Sequence, residues 1–161
     1  MRASRMIRST AAAATGCAIV VSLFAAPAFA KPAGPMTRSL PRTAGPCALT
    51  RNDSEVIQDF SIRIIQCAAD RWPVPGGAEK AICIAQRESG LIPTASSATG
   101  QYLGLFQHSR VSWPSRYADW TAPAWHLRTH ALNGRTNTIV TLRMVHGFGG
   151  WAPAGWKVRG C

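Results

Sequence analysis

Residues 81–107 read AICIAQRESGLIPTASSATGQYLGLFQ, and this stretch decides the fold because a helical pattern ends inside it. The i, i+3 and i+4 spacing places Glu88 on the same helical face as the apolar Ile84 and Ala85. Gly90 is a helix-stop signal, so Glu88 falls in the last turn, where the helix dipole opposes ionisation. Burial and dipole would both raise the pKa of Glu88, which suits a general acid. The alternative is a surface glutamate on a helix whose buried face is assigned wrongly.

The first 30 residues have the pattern of a secretory signal. Three Arg and no acidic residue precede an apolar run that closes with Ala-Phe-Ala at residues 28–30. The run is too short for a stable membrane span, and we expect cleavage after Ala30. A lipoprotein would use Cys17 instead, but the apolar run continues past that residue.

Cleavage would leave 131 of the 161 residues, which is enough for one compact domain. Residues 31–46 carry four Pro and almost no large apolar side chain, so we expect a flexible, Pro-rich leader there. The domain itself is predicted to span residues 47–161 and to act as a monomer, secreted to the medium or the cell wall.

The charge balance indicates an anionic partner. The formal net charge is +11 for the whole chain, and the three Arg of the signal account for part of it. Such a protein is attracted to nucleic acid, to anionic membranes and to anionic cell-wall polymers. The Arg residues are scattered and no nucleic-acid-binding signature or basic amphipathic helix appears, so we expect neither nucleic-acid binding nor stable membrane insertion.

Four Cys remain once the signal is removed: Cys47, Cys67, Cys83 and Cys161. An even number in an exported chain indicates two disulfides. Three pairings are possible. Cys67 and Cys83 lie at similar distances from the turn between two predicted antiparallel helices, which favours 67–83 and, by elimination, 47–161.

A first helix is predicted before the run of helix breakers at residues 72–77. Asn52 or Asp53 can cap its N terminus. Its apolar stripe consists of Val56, Phe60, Ile64 and Ala68, widened by Ile57 and Cys67.

The remaining pattern predicts a mainly α fold. Residues 90–104 are irregular, and Gly100 and Gly104 permit a short β-hairpin or tight loops. Residues 111–130 have only weak helical signal. Residues 136–146 are predicted to form a helix, with a strand as the alternative because Thr, Ile and Val are β-branched.

Glu88-Ser89, followed at this distance by Gly104-Leu105-Phe106-Gln107, resembles the ES…GLMQ signature of the soluble lytic transglycosylase and goose-type lysozyme superfamily. The resemblance extends to Asn137-Thr138-Ile139 and to Gly150-Trp151…Trp156, and covers about half of the exported chain. It implies a lysozyme-like domain with a small irregular or β-hairpin lobe beside the cleft. It also implies cleavage of the β-1,4 bond between N-acetylmuramic acid and N-acetylglucosamine in peptidoglycan strands.

The resemblance implies a role for several residues. Glu88 would be the catalytic acid that protonates the leaving oxygen, and Ser89 would position that carboxyl or the substrate. Gln107 would lie beside the cleft, and Asn137 would line or brace the site. The sequence departs from the family where His108 replaces a usually apolar residue, where one extra residue separates two glycines, and where the AYN motif of larger members is absent.

Aromatic residues are the other expected part of a sugar site, because their flat faces pack on pyranose rings. Tyr102 is the best candidate because it lies in the irregular loop between two glycines. Trp151 is a further candidate for substrate binding. Large aromatic residues are usually buried, so a core position is the alternative for each Trp.

The scarcity of acids bears on the mechanism. Most glycosidases use two carboxylates, and Asp119 is the one free candidate for a second. We therefore favour a transglycosylase route, in which the substrate supplies its own nucleophile and a 1,6-anhydro product forms. The alternatives are a hydrolase in which Asp119 activates water, and a binder of wall glycan without catalysis. We expect no cofactor and no metal, since the His126 and His130 pair lacks the glutamate of a zinc motif.

Overall fold

The computed structural model describes residues 45–157 and 159–161. The predicted signal peptide, its cleavage site at Ala30 and leader residues 31–44 lie outside the described residues. No helix within the described part of the chain combines the length and the hydrophobicity needed to cross a membrane.

The described residues form a mainly helical domain with one two-stranded antiparallel hairpin, which confirms the predicted class. A short 3₁₀ turn, Pro123–Trp125, follows the third helix. The elements are α1 (Ile57–Arg71), α2 (Gly77–Ser89), β1 (Tyr102–Leu103), β2 (His108–Ser109), α3 (Trp113–Trp120), α4 (Gly134–Gly147) and α5 (Trp151–Ala154).

Helix α4 forms the centre of the domain and is contacted by α1, α3 and α5. Its N terminus is capped by Asn133, whose side-chain oxygen accepts hydrogen bonds from the backbone N–H and hydroxyl of Thr136. The Thr141 hydroxyl donates to the Asn137 carbonyl within the helix. The helix predicted at residues 136–146 is therefore confirmed over the strand alternative, because capping and packing outweigh the β-branched composition.

Helix α1 starts later than predicted. Neither Asn52 nor Asp53 caps it, because residues 52–55 form a separate turn in which the Asn52 N–H donates to the Glu55 carboxylate. The helix begins at Ile57, after Val56, which is 56% exposed. The predicted stripe is therefore correct only in part: the buried face consists of Ser61, Ile64, Ile65, Ala68 and Ala69.

Helix α2 follows the prediction closely. It ends where Gly90 adopts a left-handed conformation (φ 63°), a common helix C-terminal geometry. Glu88 is half-buried in the last turn, on the side that faces the core. The core positions of that face are Ala81, Ile84 and Ala85, each fully buried.

The disulfide pairing differs from the one favoured by sequence spacing. Cys47 bonds to Cys67 and Cys83 bonds to Cys161. The faces through which α1 and α2 pack are occupied by small and aliphatic residues, whereas Cys67 and Cys83 are half-buried beside them. Each therefore cross-links its helix to a terminal segment of the domain.

Peptide mapping should detect this pairing. We expect a digest under non-reducing conditions to contain one cross-linked peptide pair joining Cys47 to Cys67 and a second joining Cys83 to Cys161. Mass spectrometry identifies both, and each should separate on reduction. Recovery of a 67–83 cross-link from the folded protein would contradict the structure.

Candidate active site

Glu88 lines a pocket of ≈ 260 Å³. Three segments that are far apart in the sequence form it together. The end of α2 contributes Glu88 itself. The hairpin contributes Tyr102 and Gln107, and the segment after α5 contributes Gly155 and Trp156. Of the described residues that line the pocket, Glu88 alone is acidic. The arrangement can therefore deliver one proton to a bound ligand.

The environment of Glu88 favours its protonated form. Its carboxyl has no hydrogen bond or ion pair within the described residues. Burial raises the pKa of Glu88 above its ordinary value of 4.5, because a carboxylate loses hydration there without gaining a partner. This is the behaviour expected of a general acid.

Ser89 holds the end of α2 against the hairpin instead of lining the pocket. Its hydroxyl lies 2.8 Å from the Leu105 carbonyl and 3.0 Å from the Ala85 carbonyl. A hydroxyl has one proton to donate, so these two acceptors share it. Ser89 therefore fixes the position of the neighbouring Glu88 relative to the loop.

The loop between the two strands is tightly constrained. Gln107 has a left-handed backbone (φ 48°), and its side-chain amide donates to the Gly104 carbonyl at 2.8 Å. At Gly104 (φ +80°) an added Cβ would lie 2.3 Å from both the Ala131 carbonyl and the Asn137 side chain. Only glycine fits there. The close approach presents Gln107 to the pocket, where sequence analysis placed it.

Asn137 braces this loop from below. It is fully buried and is not among the residues that line the pocket, so the expectation that it lines the site is corrected and its other expected role, bracing the site, remains. Its side-chain oxygen accepts from the Phe106 N–H at 2.9 Å. Its amide nitrogen donates to the Ala131 carbonyl at 2.9 Å and the Leu103 carbonyl at 3.2 Å. The bonds to Phe106 and Leu103 tie the hairpin to α4, and the bond to Ala131 holds the segment that precedes the helix.

The structure corrects which tryptophan belongs to the site. Trp151 is 6% exposed, donates its indole N–H to the Pro75 carbonyl and stacks on Phe106. It lies in the core and lines a different depression, not the Glu88 pocket. Trp156 is as deeply buried, at 7% exposed, so pocket lining and not burial separates the two. Trp156 lines the Glu88 pocket and donates to the Phe106 carbonyl at 2.9 Å. Both residues follow a glycine, so the sequence offered no signal to separate them.

Tyr102 lies beside the acid as expected, but in the short strand β1 of the hairpin and not in an irregular loop. Its side chain is 43% exposed and lines the pocket that holds Glu88. An exposed ring in a pocket is available for stacking on a ligand. Asp119, by contrast, is exposed on α3 and is not among the residues that line this pocket.

A second, smaller pocket of ≈ 100 Å³ continues the groove away from Glu88. The two pockets share Tyr102, Gln107, Gly155 and Trp156, and the smaller one adds Ser109, Arg116 and Ala154. The sequence pattern points to none of the three added residues. Ser109 and Arg116 meet at this pocket because α3 packs beside the hairpin. The local sequence pattern does not indicate that packing.

His108 is buried beneath this groove and is neutral. Its Nε2 lies 2.7 Å from the Thr141 hydroxyl oxygen, and its Nδ1 lies 2.9 Å from an Arg116 nitrogen. Because Thr141 gives its own proton to Asn137, and Arg116 can only donate, His108 donates through Nε2 and accepts through Nδ1. Burial, assisted by the Arg116 charge, lowers the pKa of His108 to about 3.

Because His108 is buried and neutral, we expect the fold to lose stability in acid. The pKa of His108 is below its ordinary value of 6.5, so its contribution to stability is complete above pH 6.5 and is lost as the pH falls toward 3. Between pH 6.5 and 4 the loss should be on the order of 3 kcal/mol. Thermal unfolding measured across this range should show a shallower pH dependence for His108→Met than for wild type. The exposed His146→Gln variant is the control, and equal slopes for His108→Met and wild type would contradict the assignment.

In residues 45–157 and 159–161, no three His, Cys, Asp or Glu side chains cluster closely enough to hold a metal ion. Protein-family models, curated protein sequences and solved structures were each compared with this chain, and none matches.

Proposed function

We propose that this chain is an exported, lysozyme-like enzyme that cleaves the β-1,4 bond between N-acetylmuramic acid and N-acetylglucosamine in peptidoglycan. The observation that carries the proposal is Glu88, a half-buried carboxyl that has no hydrogen-bond or ion-pair partner in residues 45–157 and 159–161. Burial raises its pKa, and its pocket is also lined by Tyr102, Gln107 and Trp156. A general acid needs a proton near neutral pH and access to a ligand oxygen.

The wall of the pocket supports a sugar ligand. The exposed ring of Tyr102 offers a flat apolar face, and the side-chain oxygen of Gln107, whose nitrogen is held by backbone carbonyls, offers a hydrogen-bond acceptor beside it. Carbohydrate rings combine apolar C–H faces with hydroxyl groups, and aromatic side chains with nearby polar groups suit both. The two disulfides are typical of proteins that function in an oxidising environment. The positive charge of the chain favours an anionic wall polymer.

A single acid favours the transglycosylase route. Glu88 gives its proton to the glycosidic oxygen as the bond to the muramic acid C1 breaks. The acetamido carbonyl of the same sugar stabilises C1, and the C6 hydroxyl then attacks C1. The proton of that hydroxyl returns to Glu88, and a 1,6-anhydro ring closes. The exposed position of Asp119 on α3 supports this route over a hydrolase that needs a second carboxylate.

Product analysis tests the proposal. The protein, expressed as the full chain and recovered from the medium with its disulfides formed, is incubated with purified peptidoglycan, and the soluble fragments are analysed by mass spectrometry. We expect 1,6-anhydro muramic ends. Reducing ends carrying one added water would instead identify a hydrolase. Tight binding without release of fragments would identify a non-catalytic wall binder.

The pH dependence of the reaction should follow Glu88. Because burial raises the pKa of this carboxyl above 4.5, the protonated enzyme persists to higher pH than an ordinary glutamate allows. The rate should then fall as the pH rises through the raised pKa. Initial rates of fragment release across pH 4 to 9 measure this limb. A rate that rises steadily through neutral pH would contradict Glu88 as the acid.

A further inference from the structure

The groove that leaves the Glu88 pocket ends at the positive charge of Arg116. Arg116 lines the smaller pocket together with Tyr102, Ser109 and Trp156. Within the described residues no carboxylate lies within ion-pair distance of its guanidinium. Half-buried cations usually have a counter-charge, because desolvation without one is costly. Burial accordingly lowers the pKa of Arg116.

Neutral contacts hold the guanidinium in place. One nitrogen donates to the His108 Nδ1 at 2.9 Å, and the group lies over the Trp156 ring at 5.8 Å from its centroid. His108 is fixed in turn by Thr141. An arginine has five N–H donors, and the others have no partner among the described residues. The protein therefore fixes Arg116 and leaves most of its donors for a ligand.

Because His108 is neutral, it holds Arg116 without cancelling its charge. A carboxylate in its place would bind Arg116 more strongly but would cancel its charge. A buried neutral imidazole accepts one hydrogen bond and leaves the full charge directed at the groove. Arg116 is not a counter-ion for Glu88 either, since burial alone accounts for the raised pKa of that carboxyl.

We infer that Arg116 binds a carboxylate of the ligand in the smaller pocket, which adjoins the pocket where Glu88 cleaves the bond. This inference rests on the proposed function. In the proposed substrate, carboxylates are carried on the lactyl branch of muramic acid and are absent from N-acetylglucosamine. The carboxylate is either the free lactyl group of a stripped strand or a carboxylate of the attached peptide. Arg116 thus gives the groove a direction, with its muramic acid side toward α3.

Binding to an inactive enzyme tests this inference without turnover. Calorimetry measures ligand binding to variants that also carry Glu88→Gln. The Arg116→Gln variant is compared with Arg110→Gln. Arg110 is exposed on the other side of the hairpin, and its replacement changes the net charge equally. Three oligosaccharides of equal length are used: peptide-bearing muramyl, peptide-free muramyl and neutral N-acetylglucosamine. We expect Arg116→Gln to weaken binding of at least one muramyl ligand by about 10- to 100-fold, which is typical of a lost charged hydrogen bond. The neutral ligand should change by less than about threefold, and Arg110→Gln should leave all three nearly unchanged.

The outcomes separate the two proposals. A loss confined to the peptide-bearing ligand identifies the peptide carboxylate, and a loss on the stripped ligand identifies the lactyl carboxylate. Equal weakening of neutral and muramyl ligands would overturn the inference, because Arg116 would then only shape the groove; no change on any ligand would overturn it as well. If Arg116→Gln does not fold, two other measurements test the inference: ligand binding by Arg116→Lys, and the salt dependence of ligand binding by the Glu88→Gln protein with Arg116 intact. A carboxylate site must favour muramyl over neutral ligands at low salt. Failure of the proposed function shows separately, as wild type that neither cleaves peptidoglycan nor binds any of the three ligands.

Discussion

Replacing Glu88 by glutamine should abolish peptidoglycan cleavage, with the rate falling by about 10²- to 10⁴-fold or more, the contribution usual for a positioned general acid. Glutamine keeps the size of the side chain and its place in the last turn of α2 but cannot donate a proton to a glycosidic oxygen. Because Glu88 alone is acidic among the described residues lining its pocket, no neighbour there can replace it. Release of soluble fragments from purified peptidoglycan measures the loss.

The stability of the same variant separates catalysis from folding. The raised pKa of Glu88 means that its ionised form destabilises the fold, and that this loss develops as the pH rises above 4.5. Glu88→Gln carries no charge, so its melting temperature at neutral pH should equal or exceed that of wild type. Glu79→Gln, an exposed change in the first turn of the same helix, is the matched control and should retain full activity. Undiminished cleavage by Glu88→Gln would rule out the mechanism.

Replacing Asn137 by alanine should cause the largest loss of stability, about 3–6 kcal/mol. The change leaves the Phe106 N–H and the Ala131 and Leu103 carbonyls without their partner, and each buried unsatisfied group costs about 1–3 kcal/mol. The loop that carries Gln107 would also lose its tie to α4. Denaturant unfolding measures the free-energy change, provided that the slopes of the transitions agree.

Asn133→Ala is the comparison for this variant. Asn133 caps the same helix from a half-buried position, and loss of such a cap typically costs about 1 kcal/mol. Asn137→Ala should therefore be several-fold more damaging than a chemically identical change four residues away. Equal effects of the two changes would show that the three side-chain hydrogen bonds of Asn137 contribute little.

The sequence was most informative where local rules act alone. The period of α2, its glycine stop and the irregular segment after it predicted the position of Glu88 correctly, because helix spacing and a left-handed terminal glycine are local properties. The hairpin at the two glycines is one of the two alternatives that the sequence left open there, the other being tight loops. Tyr102 was expected in an irregular loop but lies in strand β1, where it lines the pocket.

Other features depend on packing between distant segments, and local rules could not reach them. The disulfide pairing depends on where the terminal segments lie against α1 and α2. Trp156, and not the expected Trp151, lines the Glu88 pocket because of the turn after α5. The contact between Arg116 and His108 depends on how α3 packs beside the hairpin, and neither residue shows this partnership in its own surroundings.

The pocket described around Glu88 also has a consequence for biosynthesis. The acid emerges from the ribosome 68 residues before Trp156, which supplies the opposite wall. A nascent or truncated chain without that segment holds Glu88 in a more hydrated environment, where its proton is lost at lower pH. We therefore expect the raised pKa of Glu88 only in chains that include the segment carrying Trp156, whereas a truncated copy would carry the acid without the surroundings that keep it protonated.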